Sequence, residues 1–579
     1  MRRIGLLLAG LTVGAVLAGC LGTTTTTTGN GAQRDARFGS GFQYAAVDGN
    51  GLPVPVPLCH PAQANAVSPL GCNFDMTPTP GRQGNEVTIA VNPQDPRHVV
   101  GGAKDYFPAD AGQCVWDGVY VSHDGGASFK DRSFDGSPWR LTTNPASFKP
   151  NYASQYWCTT DPVAYYSADG KSFYYLLMAY QGDPVTASKT CENVCDTPLG
   201  SGAVNDWAFN RAIQIVAISH DGGDTFDTFT GVFEGSYPAA FHDKGWIAAS
   251  PSGAIHVMWL ASVAGGNLYF RSTDGGQTYS DPFVMSSAPF ASPDRATDGL
   301  TDAGQGSFVD VGTGAQVFAA WTGTTINLRR SLDEGRTWLP TQNVLAPHFV
   351  TPKGLSDRDR RGGMPAMATD RNPDSPFADS VYFAFQDACA DAVWTAGCKD
   401  SGHAHVYAVA SHDAGKTFGT PVRLDDDSIG DAEHFMPAVS VSPGGVVDVQ
   451  WFDTRAGGTA TTLDATGSTA PHPRVGQAYT YSLDGGKTWA RNLAFRDLAD
   501  GGWDPALSHH QDGKIFFGDY QDIDSSWQAA HPVWPDTRDG KGVKVYTATL
   551  QRPWFADGWD PAKKVAAEAF IVAHPLTEQ

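Results

Sequence analysis

Two pentapeptides of one design, Trp-x-Asp-Thr-Arg, stand at residues 451–455 and 534–538. In an extended strand residues i and i+2 share a face, so Asp453 can hold Arg455 and Asp536 can hold Arg538. Such pairs close strand ends as structural ion pairs. Alternatively the two guanidinium groups, joined by Arg361 or Arg360, offer planar forks to an anionic ligand. A fork meets a carboxylate through two parallel hydrogen bonds, a geometry that ammonium lacks. Residues 423–435 (RLDDDSIGDAEHF) gather oxygen ligands that could hold Ca2+, with a solvated acidic loop as the alternative. His403, His405, His509 and His510 offer imidazoles without a third ligand at a fixed spacing. They read as surface histidines, and no metal ligand set is assigned.

The elements that must position these groups are marked by a repeated octet. SHDGGASF (122–129), SHDGGDTF (219–226), STDGGQTY (272–279), SLDEGRTW (331–338), SHDAGKTF (411–418) and SLDGGKTW (482–489) share one pattern. An aspartate in a turn accepts backbone N–H groups just downstream, and glycine supplies the positive φ of the reversal. The terminal aromatic suits burial between strands. Asp124, Asp221, Asp274, Asp333, Asp413 and Asp484 are therefore structural rather than catalytic. SADGKSF (167–173) mimics the octet but belongs on a turn between a first and a second strand. Short apolar runs precede each octet, such as EVTIAVNP (86–93) and MPAVSVSPGG (436–445). A seventh unit over 515–550 has strands and no octet, so its fourth strand must come from elsewhere, with the N-terminal region as one source. Repeated short-strand units predict an all-β, seven-bladed β-propeller.

The octets resemble the Asp-box, or bacterial neuraminidase repeat, of the sialidase-like propellers, over residues 86–550. The resemblance implies that each box caps the turn between a blade's third and fourth strands, away from the ligand site. Family members with sialidase activity are usually six-bladed, which is the alternative architecture. It implies a mouth formed by second-strand ends (Asp105, Tyr106, Trp259, Trp321, Asp387, Asp453, Asp536) and first-strand starts. The starts are Glu86, Asp161, Lys244, Gln305, Arg360, Arg361, Glu433 and His434, with Asp519 and Tyr520 in the last inner strand. Sialidases hold a carboxylate with three arginines and use a Tyr nucleophile, a Glu base and an Asp acid. Tyr520, Glu433 and Asp105 are the chemically matching choices here, with Arg361, Arg455 and Arg538 as the clamp and Tyr106, Trp259 and Trp321 as aromatic ligand contacts. None of the three lies in a matching motif: GRQGNEVTIAV replaces the Arg-Ile-Pro stretch. The implied function is engagement of glycans or other polar or anionic ligands. Exo-α-sialidase activity and a protein-scaffold role are the alternatives.

Of 579 residues, Lys and Arg number 40 against 61 Asp and Glu, a net −21 that disfavours nucleic acid. Arg2 and Arg3 precede an apolar stretch ending Leu17-Ala18-Gly19-Cys20, which resembles a lipoprotein lipobox. The resemblance implies a signal peptide over 1–20, acylation of Cys20 and anchoring to a membrane of the cell envelope, the outer one where there are two. Residues 21–80 read as tether and N-terminal extension, 81–551 as propeller and 552–579 as tail. Eight further cysteines suit an oxidising compartment. Proximity suggests Cys59–Cys72, Cys191–Cys195 and Cys389–Cys398, leaving Cys114 and Cys158.

Overall fold

The computed structural model describes residues 56–57, 73–77, 82–106, 115–133, 148–149, 158–180, 211–236, 242–261, 266–286, 304, 306–348, 350–355, 364–427, 430–461, 471–495, 501–511 and 514–551. Arg361, Cys20, Cys59, Cys72, Cys114, Cys191 and Cys195 lie outside them. Cys389 and Cys398 form a disulfide, and Cys158 opens a strand.

Seven antiparallel sheets follow one another along the chain. Blade one comprises Gln83–Val91, Val99–Tyr106, Trp116–Ser122 and Lys130–Asp131. Blade two comprises Cys158–Tyr166, Phe173–Tyr180, Arg211–Ser219 and Thr228–Ser236. Blades three, four, five and six begin at His242–Ala249, Phe308–Val311, Ala366–Thr369 and His434–Val441. Blade seven contains Asp522–Ser525, Ala529–Asp536 and Lys544–Ala548. The first strands touch in cyclic order, and that of blade seven touches that of blade one. The sheets therefore surround an axis as a propeller.

Both faces of each blade are covered by neighbouring blades, so inner strands are apolar without strict alternation. All nine residues of Val381–Cys389 are buried, as are all seven of Val447–Asp453. Trp259, Trp321, Trp451, Trp503 and Trp534 are the largest side chains shut inside these interfaces.

The ring closes with chain from the N-terminal side. Asn73–Asp75 pairs antiparallel with Lys544–Ala548 as the outer strand of blade seven. Val56–Pro57 pairs with Leu550–Gln551. The propeller thus takes in residues ahead of position 81, because the last blade has no fourth strand of its own.

First strands share one irregularity where they start. Register slips occur between Asn85 and Thr88, Thr160 and Val163, Asp243 and Trp246, and Phe435 and Ala438. Each slip holds one non-glycine residue at positive φ: Glu86 (50°), Asp161 (59°), Lys244 (42°) and Met436 (53°). A bulge of this kind re-aims a side chain and disrupts the ladder locally. Gly306, Met364 and Tyr520 stand at the corresponding place, two residues before Phe308, Ala366 and Asp522. Seven blades thereby present seven residues at one end of the axis.

Candidate functional site at the mouth of the axis

Octet carboxylates are consumed by their own turns. Asp333 accepts from Ser331 Oγ at 2.8 Å, Thr337 N at 2.8 Å and Thr337 Oγ at 2.7 Å. The other five copies repeat the pattern, for example Asp124 with Ser122 and Ser128, and Asp484 with Ser482 and Thr488. Every octet joins a third strand to a fourth, at the end opposite the first-strand starts. Ser167–Asp169, the mimic, occupies a turn between first and second strands. Gly415 shows why glycine is needed: at φ +73° a Cβ would lie 3.0 Å from Leu328 and Arg330 of the preceding blade.

The two Asp-Arg pairs are likewise engaged internally. Asp453 accepts from Arg455 N and Nε, both at 2.7 Å, and Arg455 also reaches Asn492 at 2.8 Å. Asp536 accepts from Arg538 N and Nε at 2.6 Å, and Arg538 reaches Asn73 at 2.7 Å. Both forks bind protein groups at blade ends, and Arg361, the third member of the expected clamp, lies outside the described residues.

The chemistry gathers at the bulges. Thr160 Oγ stands 3.3 Å from Glu86 Oε2 and 3.1 Å from Asp161 Oδ1, so one hydroxyl links two carboxylates on adjacent blades. Lys104 Nζ is 3.4 Å from Glu86, and the Lys244 backbone donates to Asp161 at 3.1 Å. Lys244 Nζ lies 2.6 Å from the ring centroid of Tyr520. These residues belong to blades three and seven, which are not neighbours, so the ammonium crosses the axis. Glu86, Asp161, Lys244 and Tyr520 are 2%, 7%, 3% and 7% exposed. Among the described residues, Lys244 Nζ has no hydrogen-bond partner.

Burial dominates the electrostatics here. It pushes the Asp161 carboxyl up, helped by Glu86, and pushes the Lys244 ammonium down against the pull of Asp161 and Glu86. Asp117, fully buried nearby, is raised strongly by desolvation and then by Asp161. The Tyr520 phenol is also raised by burial, then by Asp161 and Glu86, which keeps it a neutral donor. Its hydroxyl is directed at Pro162 O, 3.5 Å away.

The expected trio is not assembled. Glu433 accepts from His403 Nδ1 at 2.6 Å and Ala404 N at 2.9 Å. Asp105 is bonded to Tyr120 Oη and lies 3.2 Å from Arg82; burial raises it to about 7. Tyr520 has Glu86 and Asp161 as its carboxylate neighbours instead. Trp259 and Trp321 are core residues, 0% and 2% exposed, and Trp259 stacks on Phe270 at 4.3 Å. They are therefore not ligand platforms. Tyr106 is half-buried, stacks on His509 at 3.8 Å and faces Lys104 at 5.6 Å, beside the Glu86 cluster. What singles out Glu86, Asp161 and Lys244 in the sequence is their place just ahead of Val87, Pro162 and Gly245, within the opening residues of each first strand.

The acidic loop, considered above for Ca2+, brings its carboxylates against histidine and arginine side chains, and His405, Asp425 and His434 lie close enough together to share one ion. Asp425 accepts from His405 and Arg423, and Asp427 lies 3.0 Å from His434 Nε2. His434 Nδ1 meets Asp453 at 3.0 Å. With Arg455 3.6 Å from Asp427, the loop oxygens face cationic side chains. Burial disfavours the His434 cation, but Asp453 and Asp425 outweigh it and raise its pKa to about 10.

At the far end of the axis a second cation crosses. Arg371 of blade five lies 4.7 Å over the ring of Tyr165 of blade two. Asp310 and Asp524, from blades four and seven, interact with the same guanidinium.

No family model matches the chain, and no curated protein matches it in sequence. Among solved structures, Hadza microbial sialidase Hz136 is similar at 12% identity and TM-score 0.37, over 64% of this chain and 63% of that one. The chain thus spans less than two thirds of that sialidase. The NanB sialidase from Streptococcus pneumoniae is similar at 8% identity and TM-score 0.39, covering 72% and 70%. The α-L-arabinofuranosidase Arb93A from Fusarium graminearum follows at 10% identity and TM-score 0.37, covering 83% and 97%. At such identities the likeness says nothing about individual residues at the mouth. In fold the chain is an all-β, seven-bladed propeller.

Proposed function

We propose that this chain is an exported, lipid-anchored propeller that engages glycans of the cell envelope at the bulge end of its axis. The observation that carries the reading is the cluster of Glu86, Asp161, Lys244 and Tyr520, buried together and converging from four blades. Concave sites that combine enclosure with a few convergent polar groups are the usual places for small polar ligands. Carboxylates, an ammonium and a phenol suit the alternating donors and acceptors of sugar hydroxyls. A glycan array probed with the full-length protein tests it. Binding that falls at least tenfold in Glu86→Gln and Asp161→Asn, with an unchanged fold by circular dichroism, is the expected result. Binding to no glycan ends the proposal.

A second reading, glycoside hydrolysis, is favoured by one observation: a protonation-prone Asp161 beside Glu86. Glycosidic cleavage needs a carboxyl that donates a proton to the leaving oxygen and a second carboxylate. Asp161 would donate and Glu86 would serve as the second group, with Tyr520 orienting the sugar through its neutral hydroxyl. Turnover of chromogenic glycosides, reduced by about 10²–10⁴-fold in Asp161→Asn, is the expected outcome. Wild-type protein inert on every glycoside tested leaves binding without cleavage. For sialosides, activity dependent on Arg455 and Arg538 would contradict the internal engagement of both forks.

A further inference from the structure

We infer that His405, Asp425 and His434 form a site for a first-row divalent metal ion such as Zn2+, between blades five and six at the bulge end of the propeller. The inference does not depend on the glycan reading. Three elements bring the ligands together. His405 lies on Asp400–Ser411, the third strand of blade five, and Asp425 follows Val422–Arg423, its fourth strand. His434 opens His434–Val441, the first strand of blade six. The three residues are 8%, 5% and 0% exposed, and their ligand atoms lie within 4.8 Å of one another. His405 Nδ1 stands 3.0 Å from Asp425 Oδ2, and His434 Nε2 stands 3.6 Å from the same oxygen. Two atoms about 2.0–2.1 Å from a zinc ion and at the tetrahedral angle are about 3.3–3.4 Å apart, a value these two spacings bracket. Two imidazoles with one carboxylate suit Zn2+ and its first-row neighbours, whereas Ca2+ takes oxygen ligands.

His434 carries a second, independent mark of a ligand. Its Nδ1 is 3.0 Å from Asp453, which orients the ring and leaves Nε2 to coordinate, as outer carboxylates do for metal-bound histidines. That Nε2 is fully buried and, among the described residues, meets no acceptor along the direction of a hydrogen bond, even with Asp427 Oδ2 at 3.0 Å. Asp425 is held from outside the site, by Val406 N at 2.9 Å on one oxygen and Arg423 Nε at 2.6 Å on the other. The local charge also calls for a cation. Asp425, Asp426, Asp427 and Asp453 bring four negative charges, against the two guanidinium groups of Arg423 and Arg455 that pair with them. A proton on His434 offsets one of the two charges left over, and a divalent ion in its place offsets both. Three protein ligands leave a fourth position for water or a ligand oxygen.

Calorimetric titration of chelator-stripped, full-length protein with Zn2+ tests the inference. One equivalent per chain should bind, and His405→Ala should weaken it by more than the about 10–100-fold that loss of an outer-shell partner costs. His220→Ala, a change at an exposed histidine of an octet turn, should leave the affinity unchanged. Co2+ serves as a second probe that needs no variant to fold, and the wild type should show the intense visible absorption of a four-coordinate ion. Absence of stoichiometric Zn2+ binding overturns the inference. So does equal binding by His405→Ala, a weak six-coordinate Co2+ spectrum, or displacement of Zn2+ by equimolar Ca2+.

Discussion

At the scale of single residues, His434 shows how burial and charge divide the work. The ring is fully buried yet bounded by Asp453, Asp427 and Asp425, so the imidazolium is the stable form, with its pKa raised to about 10. Because the folded value exceeds the unfolded one of about 6.5, its contribution is complete below about pH 6.5 and disappears as pH rises through about 10. Urea midpoints measured from pH 6 to 10.5 should fall over that window, and more steeply than in His434→Asn. That variant leaves buried carboxylates without their cation and should cost about 3–5 kcal/mol at pH 7. None of this was legible in RLDDDSIGDAEHF, which reads equally as a metal loop or a solvated one. The partners that decide it, His405 and Asp453, lie outside that segment or on another strand. Trp259 and Trp321 were misread for a related reason. Their strand position was right, but whether a strand-end aromatic meets solvent or the next blade is set by packing that no local pattern encodes.

Elements behave differently, because their determinants are local. The hydrogen bonds made by an octet's Ser and Asp side chains run between residues at most four positions apart, so Ser-x-Asp-x-Gly-x-Thr is enough to specify the turn. Replacement of one octet aspartate, such as Asp413→Ala, removes several charge-assisted bonds and should lower stability by about 1–2 kcal/mol. Two such changes in distant blades should add, and glycan affinity should not change, as denaturant titration and calorimetry can check together. Desolvation raises the Asp333 and Asp413 carboxyls, but the hydrogen bonds from Thr337 and Thr417, with those from Ser331 and Ser411, together outweigh it and hold both down to about 2. Their support is therefore present above about pH 4 and is lost as pH falls through about 2. The bulges are the less legible element. Their positive-φ residues differ in type, Glu86, Asp161, Lys244 and Met436, so only their shared place among the opening residues of a first strand betrays them. Yet these bulges put the reactive groups on the axis.

For the whole molecule, the ring depends on a strand far from the blade it completes. Asn73–Asp75 closes blade seven, Met76 N donates to Val545 O at 2.8 Å, and Met76 itself is 1% exposed. Removal of residues 1–80 should therefore cost about 3–5 kcal/mol, by loss of a buried methionine and of pairing. Removal of residues 1–60 should cost far less, since among the described residues it forfeits the short pairing of Val56–Pro57 and keeps Asn73–Asp75. Differential scanning calorimetry of the two truncations distinguishes them. The count of blades was readable from the repeats, whereas the Lys244–Tyr520 contact appears only once the ring is closed. Arg371 carries a last consequence. That side chain reaches from blade five to blade two at the far end, so the proposed glycan would not thread through the axis. On the proposed glycan reading, a ligand would come and go by one doorway, presenting a tip and not a mid-section, so long chains would be sampled at their ends.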